Sequence, residues 1–154
     1  MKAKLLIAGL IMIGLAACKK DRFNTVPQLK FVSVNTNVLY PDQAIQFKLE
    51  YTDKEGDIQD SIYIEKITRN CSSSNFSGLY AIPTDVPEVK DSKGEMVITF
   101  AYGVNLGYPA IKEPACGTAT NPINDSCVFR FALKDKANNV SDTISSPEIV
   151  LIKR

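Results

Sequence analysis

The feature that most constrains this chain is a two-residue alternation of apolar and polar side chains. It recurs in four separate stretches. Ile45, Phe47, Leu49 and Tyr51 alternate with Gln46, Lys48, Glu50 and Thr52. Ile62 and Ile64 repeat the signal between polar neighbours. Met96, Ile98, Phe100 and Tyr102 form a third row, and Cys127, Phe129, Phe131 and Leu133 a fourth. A period of two sends the apolar set to one face of a strand and the polar set to the other, the mark of a half-buried antiparallel strand. Leu29–Val34 and Glu148–Ile152 read as strands at the two ends, and no long amphipathic helix interrupts the pattern.

The connections carry turn chemistry. Asp53-Lys54-Glu55-Gly56-Asp57 is expected to join two strands as a hairpin loop, with Gly56 free to take positive φ. Asp135-Lys136-Ala137-Asn138-Asn139 is expected to close the last hairpin. The stretches 70–93 and 103–125 are long and rich in Ser, Asn, Pro and Gly. Loops of that length are uncommon without a role. Six or seven short strands with hairpins and two long connections predict an all-β domain, an antiparallel β-sandwich.

A resemblance points the same way. Phe129–Asp142, FRFALKDKANNVSD, resembles the final hairpin of immunoglobulin-like and fibronectin-type modules in bacterial surface proteins, where a D-x-x-G-N-x-S turn links the last two strands. Ala137 precedes Asn138 where a glycine is common, so the match is partial. Tyr51–Asp57, YTDKEGD, resembles the acidic hairpin earlier in the same modules. The likeness implies an immunoglobulin-like sandwich of about seven strands and no activity. The chain has no tryptophan, so the Cys-Trp-Cys core of antibody domains is absent.

The first 28 residues follow another grammar. Lys2 and Lys4 precede the uncharged apolar run Leu5–Leu15, and Ala16 and Ala17 follow. Basic, apolar, small is the order of a secretory signal peptide. Eleven apolar residues fall short of the roughly 20 that cross a bilayer. Leu15-Ala16-Ala17-Cys18 resembles the lipobox of bacterial lipoproteins. The resemblance implies cleavage after Ala17 and a lipid on Cys18; the expected location is export to a membrane surface, the outer membrane of a Gram-negative cell. More than one acyl chain would make that anchor stable. Residues 18–28 then form the lipidated cysteine and a polar tether, and residues 29–154 the sandwich domain.

Removing residues 1–17 from 154 leaves 137, enough for one domain with a real core. Lys2 and Lys4 go with the leader, so 16 basic residues face 17 acidic ones. A near-neutral balance with no basic face argues against nucleic acid as a partner. There is no histidine. A Ser-His-Asp or Cys-His nucleophile is therefore impossible. Carboxylates remain as conceivable acid and base, but they sit in turns and on polar strand faces, so no catalytic residue is assigned and no enzyme is expected.

With Cys18 spent on lipid, Cys71, Cys116 and Cys127 face an oxidising compartment. Cys116 and Cys127 are nearest in sequence and flank a polar loop, so they are the expected disulfide; Cys71 with either is the alternative, and sequence alone does not decide. No Cys-x-x-Cys pair or histidine is present to bind zinc.

Two clusters are candidates for binding. Asp53, Glu55, Asp57 and Asp60 place four carboxylates within eight residues, a set of oxygen donors that could hold calcium. The spacing is not that of an EF-hand, and a solvated turn is the plainer reading. No other cofactor is expected. Phe76, Tyr80 and Tyr108 lie in the long connections and would suit a docking surface or would close the ends of the sandwich. The functional expectation is a membrane-anchored, non-enzymatic binding or structural module of the cell envelope, with an envelope protein or glycan as partner. The alternative is a calcium-dependent adhesion or assembly factor.

Overall fold

The computed structural model describes residues 23–103 and 106–154. The expected leader 1–17, the lipidated Cys18 and residues 19–22 lie outside the described residues.

The domain is all-β, two sheets packed face to face. One sheet has the order β1-β3-β6-β7, with β1 Gln28–Val34, β3 Ala44–Asp53, β6 Ser92–Tyr102 and β7 Ala110–Ile111. The other runs β2-β10-β8-β4-β5, with β2 Val38–Leu39, β4 Ser61–Thr68, β5 Phe76–Ala81, β8 Asp125–Lys134 and β10 Ile149–Leu151; β9, Ile144–Ser145, also pairs with β8. Taking β9 and β10 as two pieces of one strand and setting aside the two-residue β2 and β7, seven strands remain among the described residues. Their order is that of an immunoglobulin-like sandwich. Two short pairings depart from an all-antiparallel plan, β10 with β2 and β6 with β7, which are parallel.

The alternation supplies the core. Ile45, Phe47 and Leu49 of β3, Ile62 and Ile64 of β4, and Cys127, Phe129 and Phe131 of β8 are buried between the sheets. Phe47 stacks at 4.7 Å from Phe129 and 5.3 Å from Phe131, with Phe100 5.9 Å from Phe129. Burying each such ring contributes about 1.5–3 kcal/mol. Tyr102 is buried too, and its hydroxyl donates to the Ile152 carbonyl at 2.8 Å, tying one sheet to the end of the other. Burial holds its phenol well above the ordinary tyrosine value.

Two local expectations change. The acidic turn 53–57 is not a hairpin: β3 and β4 lie in different sheets, and the turn carries the chain across. Gly56 does take positive φ, 77°, and a Cβ there would lie 2.1 Å from the Val89 carbonyl oxygen, so the turn needs glycine for conformation and close approach. The stretch 70–93 contains a full strand, β5, which pairs with β4 from Ser61↔Ala81 to Lys66↔Phe76.

The hairpin after β8 forms as expected, with Asn138 at φ 69° where glycine is common. The returning strand is then broken. Ser141 and Ser146 bridge the breaks: their hydroxyls accept the Leu133 and Phe129 amides at 2.9 and 3.0 Å, in place of ladder carbonyls.

Candidate functional site

The two ends of the sandwich differ. At one end lie the acidic turn, residues 82–91 and the 135–139 hairpin. The incoming chain joins here: the Lys54 amide donates to the Asn24 carbonyl (3.1 Å), Asn139 Nδ2 to the Thr25 carbonyl (3.4 Å), and Thr25 Oγ1 to Glu55 (3.3 Å). At the other end lie residues 69–75 and the connection on either side of β7.

The disulfide staples that second end, and it is not the expected one. Cys71 pairs with Cys116, and Cys127 is a free, buried thiol. The reason is phase. Cys127 belongs to the inward row of β8, so its sulfur points into the core between the sheets. Cys71 and Cys116 sit in two connections whose Cα atoms come 5.6 Å apart, within the reach of a disulfide. Lys153 Nζ donates to the Cys116 carbonyl at 2.6 Å and adds the C-terminal segment to the staple.

Burial, with Asp125 nearby and only partly offset by Lys66, pushes the Cys127 thiol up to about 12. It therefore stays protonated and shielded at neutral pH. With Cys18 replaced by serine, a native sample at pH 8 is expected to give no reaction with a thiol reagent. Unfolding without reductant should release one reactive thiol per chain, and peptide mapping should find it on Cys127. Label on Cys71 would mean a different pairing.

The four acidic candidates separate. Asp53 ends β3 with its side chain 0% exposed, and its Oδ2 accepts the amides of Gly56 (2.5 Å) and Asp57 (3.2 Å). Burial raises its carboxyl above the usual range, with those amides pulling the other way. Glu55 is exposed and turned toward Thr25. Asp60 is drawn away by Lys134 at 2.9 Å, which lowers its carboxyl below the usual range. The place of Glu55 and Asp60 is taken by a residue sequence reasoning missed. Asp135, from the β8–β9 hairpin, comes in beside Asp53 and Asp57, with one oxygen of each of the three within 4.8 Å of the others. Asp135 is itself buried, and its two oxygens accept the Asn139 amide (2.7 Å) and Asn139 Nδ2 (2.8 Å).

The three aromatic candidates separate as well. Phe76 turns inward and meets Phe100 at 5.9 Å and Phe129 at 6.2 Å. Tyr80 meets Phe100 edge-on at 5.9 Å. Both pack from β5 rather than standing on loops. Tyr108 alone stays on a connection, 48% exposed.

Tyr80 instead helps line an apolar cleft of about 410 Å³ between the sheets. Its walls include Ile62 and Ile64 on one sheet, Met96, Ile98 and Phe100 on the other, and Ile58 near the acidic turn. It is open because both bordering strands are edges: β5 ends its sheet, and β7 covers only Ala101 and Tyr102 of β6. Hence Met96 and Ile98, of the inward row, are only half-buried, and Val97 at the rim is 56% exposed. An apolar concavity bordered by unpaired strand edges can take apolar side chains from an extended segment while the edge supplies backbone hydrogen bonds.

Comparison with known proteins adds little to this geometry. No family model matches the sequence, and no curated protein matches it. Among solved structures, the sporulation control protein Spo0M from Bacillus subtilis aligns with a TM-score of 0.44 and 9% identity, over 84% of this chain and 50% of that one. The chain therefore spans half the length of that neighbour.

Proposed function

We propose that this chain is a lipid-anchored, non-enzymatic binding module of the cell envelope, and that the cleft between β5 and β6 takes an extended apolar segment of a partner protein. The observation that carries the reading is the cleft itself: an apolar concavity between two strand edges. A glycan fits such a lining less well, because its hydroxyls would lose water without finding partners.

The anchor sets an orientation. The chain joins the domain at the acidic-turn end, and Cys18 precedes Asn24 by six residues, at most about 20 Å. A lipid on Cys18 would hold that end at the membrane. The ten residues of β3 span about 33 Å, so the disulfide-stapled end would stand that much farther out.

A photo-crosslinking residue at Val97 tests the cleft, with one at Val32, an exposed apolar position on β1, as the control. In cells, an adduct to a protein is expected at Val97 and not at Val32, and Tyr80→Ala should weaken it. No adduct at Val97, or equal adducts at both, would sink the proposal. In the same cells Cys18→Ser should move the domain from the membrane fraction to the soluble one; retention would remove the lipid from the reading.

A further inference from the structure

The geometry points to a calcium site built by Asp53, Asp57 and Asp135, holding the acidic turn to the β8–β9 hairpin where the chain enters the domain. It is independent of the cleft, so either can fail alone.

Calcium takes six to eight oxygen ligands at about 2.3–2.6 Å, so two ligands on one ion are at most about 5 Å apart. The three carboxylates each offer an oxygen within 4.8 Å of the other two. They come from the end of β3 with its following turn and from a hairpin about eighty residues farther on, which only the fold brings together.

The second observation is an orphan. Asp53 is wholly buried, and while its Oδ2 caps the Gly56 and Asp57 amides, its Oδ1 is shut off from water with no partner among the described residues. Asp57 Oδ1 is likewise buried and partnerless. An ionised carboxylate shut from water and set beside two more is costly unless a positive charge offsets it. The lysines nearest in sequence to Asp135 do not supply it: Lys134 is paired with Asp60 and Lys136 with Glu88, and Lys54 of the acidic turn is exposed. A hard divalent cation with waters completing its shell would satisfy both orphan oxygens.

Calorimetric titration of the soluble domain with CaCl2 alone, after EGTA treatment, is the direct test. Heat of binding is expected, with a melting temperature about 5–10 °C higher at calcium well above the dissociation constant. MgCl2 should give a smaller rise, because magnesium keeps its own waters. Asp57→Asn should abolish the calcium-dependent rise; in EGTA it should melt no lower than the parent, since it removes one of three mutually repelling charges. Asp135→Asn should also abolish the rise, but should melt lower than the parent in EGTA, because both Asp135 oxygens accept hydrogen bonds from Asn139; Glu55→Gln should keep the full rise. No heat and no rise in the parent protein would overturn the proposal. So would a rise that survives Asp57→Asn and Asp135→Asn but disappears in Glu55→Gln, which would place the ion on the exposed turn.

Discussion

Replacing Lys66 with methionine is expected to destabilise the domain by about 3–5 kcal/mol, the usual cost of leaving one buried charge without its partner. Lys66 lies on the inward face of β4 with its side chain 0% exposed, and so does the Asp125 side chain on β8. The ammonium donates to Asp125 Oδ2 at 2.5 Å and to the Ser74 carbonyl at 2.9 Å. Without it, Asp125 would be an unneutralised carboxylate in the core. The companion expectation has the opposite sign. Lys66→Met combined with Asp125→Leu should fall close to the parent or above it, because both desolvation costs disappear together. Asp125 Oδ1 already has no hydrogen-bond partner among the described residues, so the pair is not fully repaid as it stands. Urea denaturation of the two single variants and the double gives the coupling. Additive losses would mean that the groups do not act as a pair.

Removing the Cys71–Cys116 disulfide is the other large effect. The bridge closes a loop of 45 residues. The chain-entropy model puts its contribution at about 4 kcal/mol. The Cys71→Ser, Cys116→Ser double variant should lose roughly that much in equilibrium unfolding, and reduction of the parent protein should reproduce it. Cys127→Ala should leave the cross-link in place and cost only the packing of a small side chain. A loss under 1 kcal/mol on removing the bridge would mean the unfolded chain is no freer without it. The loss should be felt first at the stapled end, where Ser74 accepts the Ala115 amide at 3.2 Å and Lys153 reaches Cys116.

The largest misreadings in the sequence share one cause. Alternation says which way a side chain faces but not what it meets there. Lys66 is in phase with Ile62 and Ile64, and Asp125 with Cys127 and Phe129. The signal for a buried pair was present in two strands, but the ladder sets Lys66 opposite Phe129, and only the packed side chains bring its ammonium to Asp125. In the sequence Asp135 is only part of a turn, since its approach to Asp53 depends on how the sheets stack. Ser77 and Gly78 dilute the apolar pattern of β5 and hide it as a strand, although Phe76 and Tyr80 lie two steps either side of Gly78 and point inward.

What the sequence determined by itself was the all-β class, the four inward rows, the positive φ at Gly56 and the closing hairpin at Asp135–Asn139. These rest on period, steric freedom and short-range hydrogen bonds, all local along the chain. Only the tertiary structure decided which cysteines pair, which carboxylates gather, which charges are buried together and where a cleft stays open. Each of those is a distance between residues far apart in sequence, set by strand register and by how two sheets pack. No local pattern of side chains encodes such a distance.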